Sequence, residues 1–266
     1  MPTNPDISTR SAVTLITGAS AGIGAEFARL LAKDGQALVL TARRLDRLQA
    51  LATELRAASG ARVEVVAADL ADKDAPRLLF DKIAALNLQV GTLINNAGFG
   101  LRGAFAEQPL DRLIEMLDVN IVALTRLTGL FLPLMIARGS GGIINLSSIA
   151  AFLPGPYMAV YYATKAYVLS FSQAIAYETR GTGVVVTAVC PGRTQSEFDE
   201  VADLTGARLT RQPAMSGRDV ARLAIEGHRA RKSLVITGAM NKLTPLGSRL
   251  LPRGVLMRVA ASLQRK

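Results

Sequence analysis

Tyr161 and Lys165, the first and last residues of YYATK, are spaced to share one face of a helix. A phenol has a reference pKa of about 10, too high to exchange its proton easily at neutral pH. A cation one turn away favours the phenolate. Such a pair can protonate a developing alkoxide or deprotonate an alcohol. Tyr162 also lies within a turn of Lys165, so helix geometry alone does not choose between the tyrosines.

A second constellation lies near the start of the chain. TGASAGIG, Thr17 to Gly24, follows an apolar run and leads into a helical pattern near Ile23. Gly18, Gly22 and Gly24 permit a tight turn around Ser20. Backbone N–H groups at the helix start, with its positive dipole end, suit a pyrophosphate. The next apolar run ends in LVLTARR, with no Asp or Glu to hold a ribose 2′-hydroxyl. Arg43 and Arg44 stand there instead, at the unfavourable end of a helix dipole. A 2′-phosphate would offset that repulsion, and guanidinium matches phosphate geometry. The expected cofactor is therefore NADP(H), with Arg43, first off the strand, as its selector.

Composition narrows the classes of activity. The 266 residues are half apolar and only one fifth charged, enough for a continuous core. One cysteine, Cys190, leaves no internal disulfide or thiolate cluster. One histidine, His228, removes multi-histidine metal sites, and no metal is expected. Tryptophan is absent and aromatics are few, which argues against nucleic-acid stacking. The net charge of +10 is uneven: residues 1–205 sum to −1 and residues 206–266 to +11. The N-terminal MPTNPDISTRSA has no apolar signal core, and Leu127–Ala137, the most apolar helical stretch, is too short to span a bilayer. The expectation is a soluble cytoplasmic protein.

Short runs rich in Val, Ile and Leu must position these residues. They are Val13–Thr17, Ala37–Thr41, Arg62–Ala67, Thr92–Asn95, Gly142–Ser147, Val184–Val189 and Ser233–Thr237. Without polar alternation they read as parallel strands buried on both faces. Helical patterns separate them near Ile23–Lys33, Leu45–Ala58, Ala75–Leu86, Leu110–Arg138, Tyr157–Thr182 and Arg218–Ala230. The expected fold is α/β, one doubly wound parallel sheet of about seven strands with helices on both faces. Residues 1–266 read as a single Rossmann-type domain, with irregular stretches at Phe99–Pro109 and Gly192–Gly217.

TGxxxGxG at Thr17–Gly24, NNAG at Asn95–Gly98 and YxxxK at Tyr161–Lys165 occur in that order over nearly the whole chain. Together they resemble the short-chain dehydrogenase/reductase family. The resemblance implies a catalytic set of Asn120, Ser148, Tyr161 and Lys165. Its thirteen-residue interval from Ser to Tyr selects Ser148 over Ser147, and Tyr161 over Tyr162. It places Asp69 and Leu70 near the adenine and Asn96, Ala97 and Gly98 beside the adenosine. Pro191 and Gly192 fall under the nicotinamide, with Thr194 and Ser196 at the carboxamide and pyrophosphate. Lys165 gains a role on the ribose hydroxyls, and Asn120 one in a water relay to Lys165. A homo-oligomer, tetramer or dimer, is also implied.

The resemblance puts the substrate loop at about 193–217, with Phe198, Val201, Leu204, Leu209 and Met215. Phe152, Leu153, Tyr157 and Met158 precede Tyr161. These residues suggest an apolar carbonyl or alcohol substrate. Cys190 reads as packing, and His228 as a solvent-facing residue of a polar helix. In the basic tail, about 240–266, Leu251, Val255, Val259 and Leu263 recur at helical spacing beside arginines. The favoured expectation is a helix docked on its own fold or a subunit, charges outward; contact with an acidic membrane surface is the alternative. A cofactor-binding regulator without turnover is the competing function, disfavoured by the intact catalytic set.

Overall fold

The computed structural model describes residues 11–264. The first ten residues, on which the expectation of no signal sequence rested, and Arg265 and Lys266 of the basic tail lie outside them. In chain order the elements are β1 (Ser11–Thr17), α1 (Gly22–Lys33), β2 (Leu38–Thr41), α2 (Leu45–Ser59), β3 (Val63–Val65) and α3 (Ala75–Ala85). Next come β4 (Leu88–Asn95), α4 (Leu110–Leu117), α5 (Leu124–Ala137), β5 (Gly141–Leu146), α6 (Ala159–Glu178) and β6 (Val184–Cys190). The last are β7 (Thr194–Gln195), α7 (Phe198–Val201), β8 (Met215–Ser216), α8 (Gly217–Arg229), β9 (Leu234–Ile236), α9 (Thr244–Leu250) and α10 (Arg253–Gln264).

Seven strands form one parallel sheet in the order β3-β2-β1-β4-β5-β6-β9. The strand order reverses between β1 and β4, which opens a crevice at their carboxyl ends. Successive strand residues face opposite layers, as the pleat requires. Ile16, Ile94 and Ile144 pack with Phe27 of α1 and Leu48 of α2 on one face. Leu15, Leu93 and Ile143 pack with Leu79 of α3 and Phe131 of α5 on the other. This two-sided burial explains why the strands read as unbroken apolar runs.

Three features depart from the sequence reading. Gly192–Gly217, expected to be irregular, is bracketed by the short parallel pair β7–β8 and contains α7. Two-residue strands carry too little periodicity to register in a sequence. Second, the helical run expected at Leu110–Arg138 forms, but as α4 and α5 joined through a π-helical turn, Asp118–Ala123. Leu110–Ala137 is thus 28 residues, long and apolar enough to cross a membrane by length and composition, unlike the shorter stretch considered above. Here its Met116, Leu127 and Met135 are buried in the fold. Third, His228 does not face solvent. Its ring lies over Gly142 of β5, and its Nδ1 is 2.9 Å from the Thr187 hydroxyl of β6. Helix α8 is polar only on its outer face, and position 228 falls on the inner one with Val220, Ala221 and Ala224.

Burial, reinforced by Arg231 and Arg229, lowers the His228 pKa to about 4. The unfolded chain takes up this proton near pH 6.5, the folded chain only near pH 4. The His228 contribution to stability is therefore complete above pH 6.5 and lost as pH falls towards 4. Urea unfolding across that window should show a decline of about 1–3 kcal/mol that is absent in His228→Gln. Parallel pH profiles for the two proteins would refute the burial of the neutral ring.

Candidate active site

The crevice begins with a clamp between the ends of β1 and β4. The Thr17 hydroxyl accepts hydrogen bonds from the backbone N–H groups of Asn96 (2.9 Å) and Ala97 (3.0 Å). Asn96 Nδ2 donates to the carbonyls of Thr17 (2.9 Å) and Gly18 (3.2 Å). The backbone approach leaves no room for side chains. A Cβ at Gly24 would lie 2.3 Å from the Gly18 carbonyl oxygen, and one at Gly18, where φ is +64°, 2.9 Å from Ala97 Cα. Glycine is required at both positions by space, and at Gly18 by backbone conformation as well.

Beyond this clamp lies a cavity of about 450 Å³. Every catalytic and cofactor-binding residue singled out in the sequence lines it except Gly24 and Asn120, whereas Phe152, Tyr157 and Met215, expected at the substrate, do not line it. Asn120, in the π-helical turn, is 1 % exposed. Its Oδ1 accepts from Phe99 N and its Nδ2 donates to Phe99 O, each at 3.0 Å. The same Nδ2 reaches Thr164 Oγ1 at 3.1 Å. Its amide thereby ties α6 to the loop after β4. Asp69 accepts a hydrogen bond from Ala71 N and shapes the turn below the adenine-side wall.

Helix α6 and the end of β5 bring the reactive groups together. Lys165 is 6 % exposed, and its Nζ donates to the Leu146 carbonyl at 2.9 Å, 5.7 Å from the centroid of the Tyr161 ring. The two adjacent serines divide in role. Ser147 is buried, and its hydroxyl donates to the Lys165 carbonyl at 2.8 Å. Ser148 faces the cavity, accepts from Ala150 N at 3.1 Å and donates to the Pro191 carbonyl at 3.4 Å. Tyr162, buried in the same cluster, receives a hydrogen bond from Gln264 Nε2 at 3.1 Å.

Electrostatics differ from the simple picture of a lysine activating a tyrosine. Burial pushes the Tyr161 phenol well above its ordinary range, opposed by the Ser148 hydroxyl. Burial likewise lowers Lys165 to about 8. Desolvation penalises the charged form of each and is the largest cause of both shifts. Tyr161 is thus held as a phenol, ready to donate, and Lys165 keeps its proton at neutral pH. Burial raises Cys190 to about 11, so it is not a thiolate there.

At the other end of the cavity, Arg43 pairs with Glu115 at 3.2 Å. Arg44 reaches the glycine turn directly, with Nε and Nη2 at 3.3 and 3.2 Å from Ser20 Oγ. It also pairs with Glu197 at 2.9 Å, which Arg47 shares. The sequence ranked Arg43 first by order alone; Arg44 is the better placed beside Ser20. Position in a turn after a strand does not fix side-chain direction. Phe198, Leu204, Leu209, Leu153 and Met158 build an apolar wall, and Phe198 packs 5.2 Å from the Tyr161 ring centroid. Leu263 and Gln264 of α10 complete that wall. No motif marked them, because their contact is made across a hundred residues of chain.

The short chain dehydrogenase family pattern matches residues 12–205. The chain belongs to this family. Its members are oxidoreductases acting on alcohol or carbonyl groups. Sulfoacetaldehyde reductase 2 of Chromohalobacter salexigens is 40% identical over 190 residues, 71% of this chain and 75% of that protein. Among solved structures, a short-chain dehydrogenase from Sphingobium yanoikuyae in complex with NADPH is 35% identical, with a TM-score of 0.80, covering 90% of this chain and 93% of that one. A short-chain dehydrogenase/reductase from Burkholderia phymatum in complex with NAD is 26% identical, with a TM-score of 0.81, covering 92% and 96%.

The serine pair offers a direct test. Ser147→Ala should cost about 1 kcal/mol of stability through the lost buried hydrogen bond and leave turnover largely intact. Ser148→Ala, which removes an N-cap bond, should cost a similar amount of stability but also lower kcat by about a hundredfold. Equal kinetic effects of the two substitutions would reject the division.

Proposed function

We propose that the protein is an NADPH-dependent reductase of apolar ketones or aldehydes, working reversibly as an alcohol dehydrogenase. The observation that carries this reading is the meeting of Ser148, Tyr161 and Lys165 in one cavity with the glycine turn. The cradle fits a dinucleotide. The turn at Gly18–Gly24 excludes side chains where a pyrophosphate would approach, and its N–H groups open α1. Gly22, Ile23, Thr194 and Ser196 would hold the pyrophosphate and carboxamide, Asp69 and Leu70 the adenine, and Asn96, Ala97 and Gly98 the adenosine side. Pro191 and Gly192 would back the nicotinamide, and Lys165 would reach the ribose.

Ser20, Arg43 and Arg44 supply the donors for a 2′-phosphate, and no carboxylate follows β2 to accept a ribose hydroxyl. The NADPH complex of the Sphingobium relative agrees with this choice, whereas the Burkholderia relative binds NAD. Bound NADPH would deliver a hydride, with its two electrons, to the substrate carbonyl carbon. The Tyr161 phenol donates its proton to the carbonyl oxygen as charge develops there. Ser148 holds that oxygen by a hydrogen bond. The Lys165 cation stabilises the phenolate left behind, and Asn120 fixes α6 so that these groups stay aligned.

The cavity wall favours an apolar substrate. Arg193, the loop cation that lines the cavity, is paired with Asp199 at 3.0 Å, and the surfaces around Tyr161 are the apolar side chains of Phe198, Leu153 and Met158. A homo-oligomer is also proposed: α5 and α6 turn Leu134, Ile136 and Tyr177 to solvent, apolar area suited to a subunit contact.

NADPH oxidation across a panel of ketones and aldehydes tests the reading. Tyr161→Phe should lower kcat by about a hundredfold or more, while Tyr162→Phe should retain most of it. A preference for short polar aldehydes, or full activity in Tyr161→Phe, would refute the substrate or the acid. For the cofactor, the native protein should favour NADPH over NADH, and Arg43→Ala/Arg44→Ala should erase most of that preference. Equal affinities in the native protein would refute the phosphate site.

A further inference from the structure

Helix α9 inverts the usual arrangement of an amphipathic helix, and α10 exposes aliphatic side chains beside its docked stripe. Met240, Leu243, Leu246 and Leu250 recur at helical spacing across the turn before α9 and α9 itself. All four face solvent, Met240 at 77% and Leu250 at 72% exposure. On α10 the docked stripe is Leu256, Ala260 and Gln264. Val255, Met257 and Val259 point away from it and are exposed. Thus, of the stripe expected to dock, Leu251, Val255 and Val259 lie on the outer surface, whereas Leu263 is docked and lines the cavity. Single exposed aliphatics are ordinary, but this many on two consecutive helices mark an interaction surface.

The charges of this surface define its partner. Residues 240–266 contain six basic residues and no acidic one. Lys242, Arg249, Arg253 and Arg258 have no ion pair or side-chain hydrogen bond among the described residues. Every ion pair among those residues involves an arginine at or before Arg229. We propose that the outer surface of α9 and α10 docks on an anionic lipid bilayer. The aliphatic side chains would enter the acyl boundary, and the four cations would meet anionic headgroups while their methylene stems lie along the interface. A second copy of the chain is disfavoured because a two-fold contact would face these cations with their own images. A protein groove is disfavoured because the segment has no aromatic anchor.

This docking stands independently of the redox chemistry. It gains a consequence from the opposite face of α10, where Leu263 and Gln264 line the cavity. The bilayer would lie against the outside of the substrate wall.

Co-sedimentation of the full chain with phosphatidylcholine vesicles, with and without phosphatidylserine, tests the proposal. Binding should require phosphatidylserine and weaken with added salt. Leu246→Asp/Leu250→Asp and Arg249→Glu/Arg253→Glu/Arg258→Glu should each lower partitioning by about tenfold or more. Unchanged NADPH affinity and Tm would show both variants folded; if either is not, the phosphatidylserine and salt dependence of the native chain decides. Absence of binding to both vesicle types overturns the proposal, as does binding insensitive to lipid charge and salt. A dimer in sedimentation that dissociates in Leu246→Asp/Leu250→Asp assigns the surface to a second copy. Retention on immobilised polyglutamate without vesicle binding assigns it to an acidic protein. Either result also overturns the lipid assignment.

Discussion

The contact between Gly18 and the Asn96–Ala97 backbone governs the whole cavity. Two strand ends from different halves of the sheet are drawn within van der Waals distance, and a single methyl group at Gly24 would drive them apart. The Thr17 hydroxyl and the Asn96 amide hold the approach with four hydrogen bonds. Because β1 and β4 flank the reversal in strand order, fixing their ends fixes the floor of the crevice. Gly98, two residues further on, then passes so close to Asn120 and Lys165 that a Cβ there would lie 2.9 Å from Asn120 Oδ1. One close approach at the phosphate end is thereby transmitted along NNAG to the reactive end.

The reactive end has the opposite problem, too much polarity for its burial. Lys165 and Tyr161 are both buried, and desolvation moves both towards their neutral forms. A buried ammonium without a partner is costly. The Leu146 carbonyl supplies that partner and anchors the lysine to the sheet rather than to the tyrosine. The result separates two duties. Lys165 supplies a positive potential from a fixed point, while Tyr161 stays a phenol, which in the proposed reaction would give its proton when a substrate oxygen becomes negative. A direct ion pair between them would instead hold the tyrosine as phenolate and leave nothing to donate.

Much of this was legible in the sequence, for a physical reason in each case. Parallel strands buried on two faces leave unbroken apolar runs, and all seven strands of the main sheet were found within a few residues of their ends. The glycines were legible because close backbone approach admits no other residue. What failed were the features set by side-chain direction and distant contacts. His228 sits in EGHRARK, yet one of its helix faces is the core. Arg43 and Arg44 are adjacent, and only the fold shows which meets Ser20. The β7–β8 pair is too short for a periodic signal.

The C-terminal helices show why hydrophobic periodicity can mislead even when it is real. Val255 and Val259 are correctly spaced for a buried stripe, but Leu256 and Ala260 are spaced identically one residue later. Periodicity reports that a helix has a face, not which face the fold will take. Here the choice falls on the stripe that ends in Gln264, whose amide reaches the Tyr162 hydroxyl inside the cavity. A polar terminus would ordinarily argue against burial, and composition alone would favour the all-aliphatic stripe. The buried hydrogen bond offsets part of that cost: Gln264 Nε2 donates to the Tyr162 hydroxyl, whereas Gln264 Oε1 has no partner among the described residues, and leaving the amide N–H unpaired as well would cost about 1–3 kcal/mol. The stripe that closes the cavity wall and the aliphatic surface left outside are thus two faces of one helix, and docking the first exposes the second.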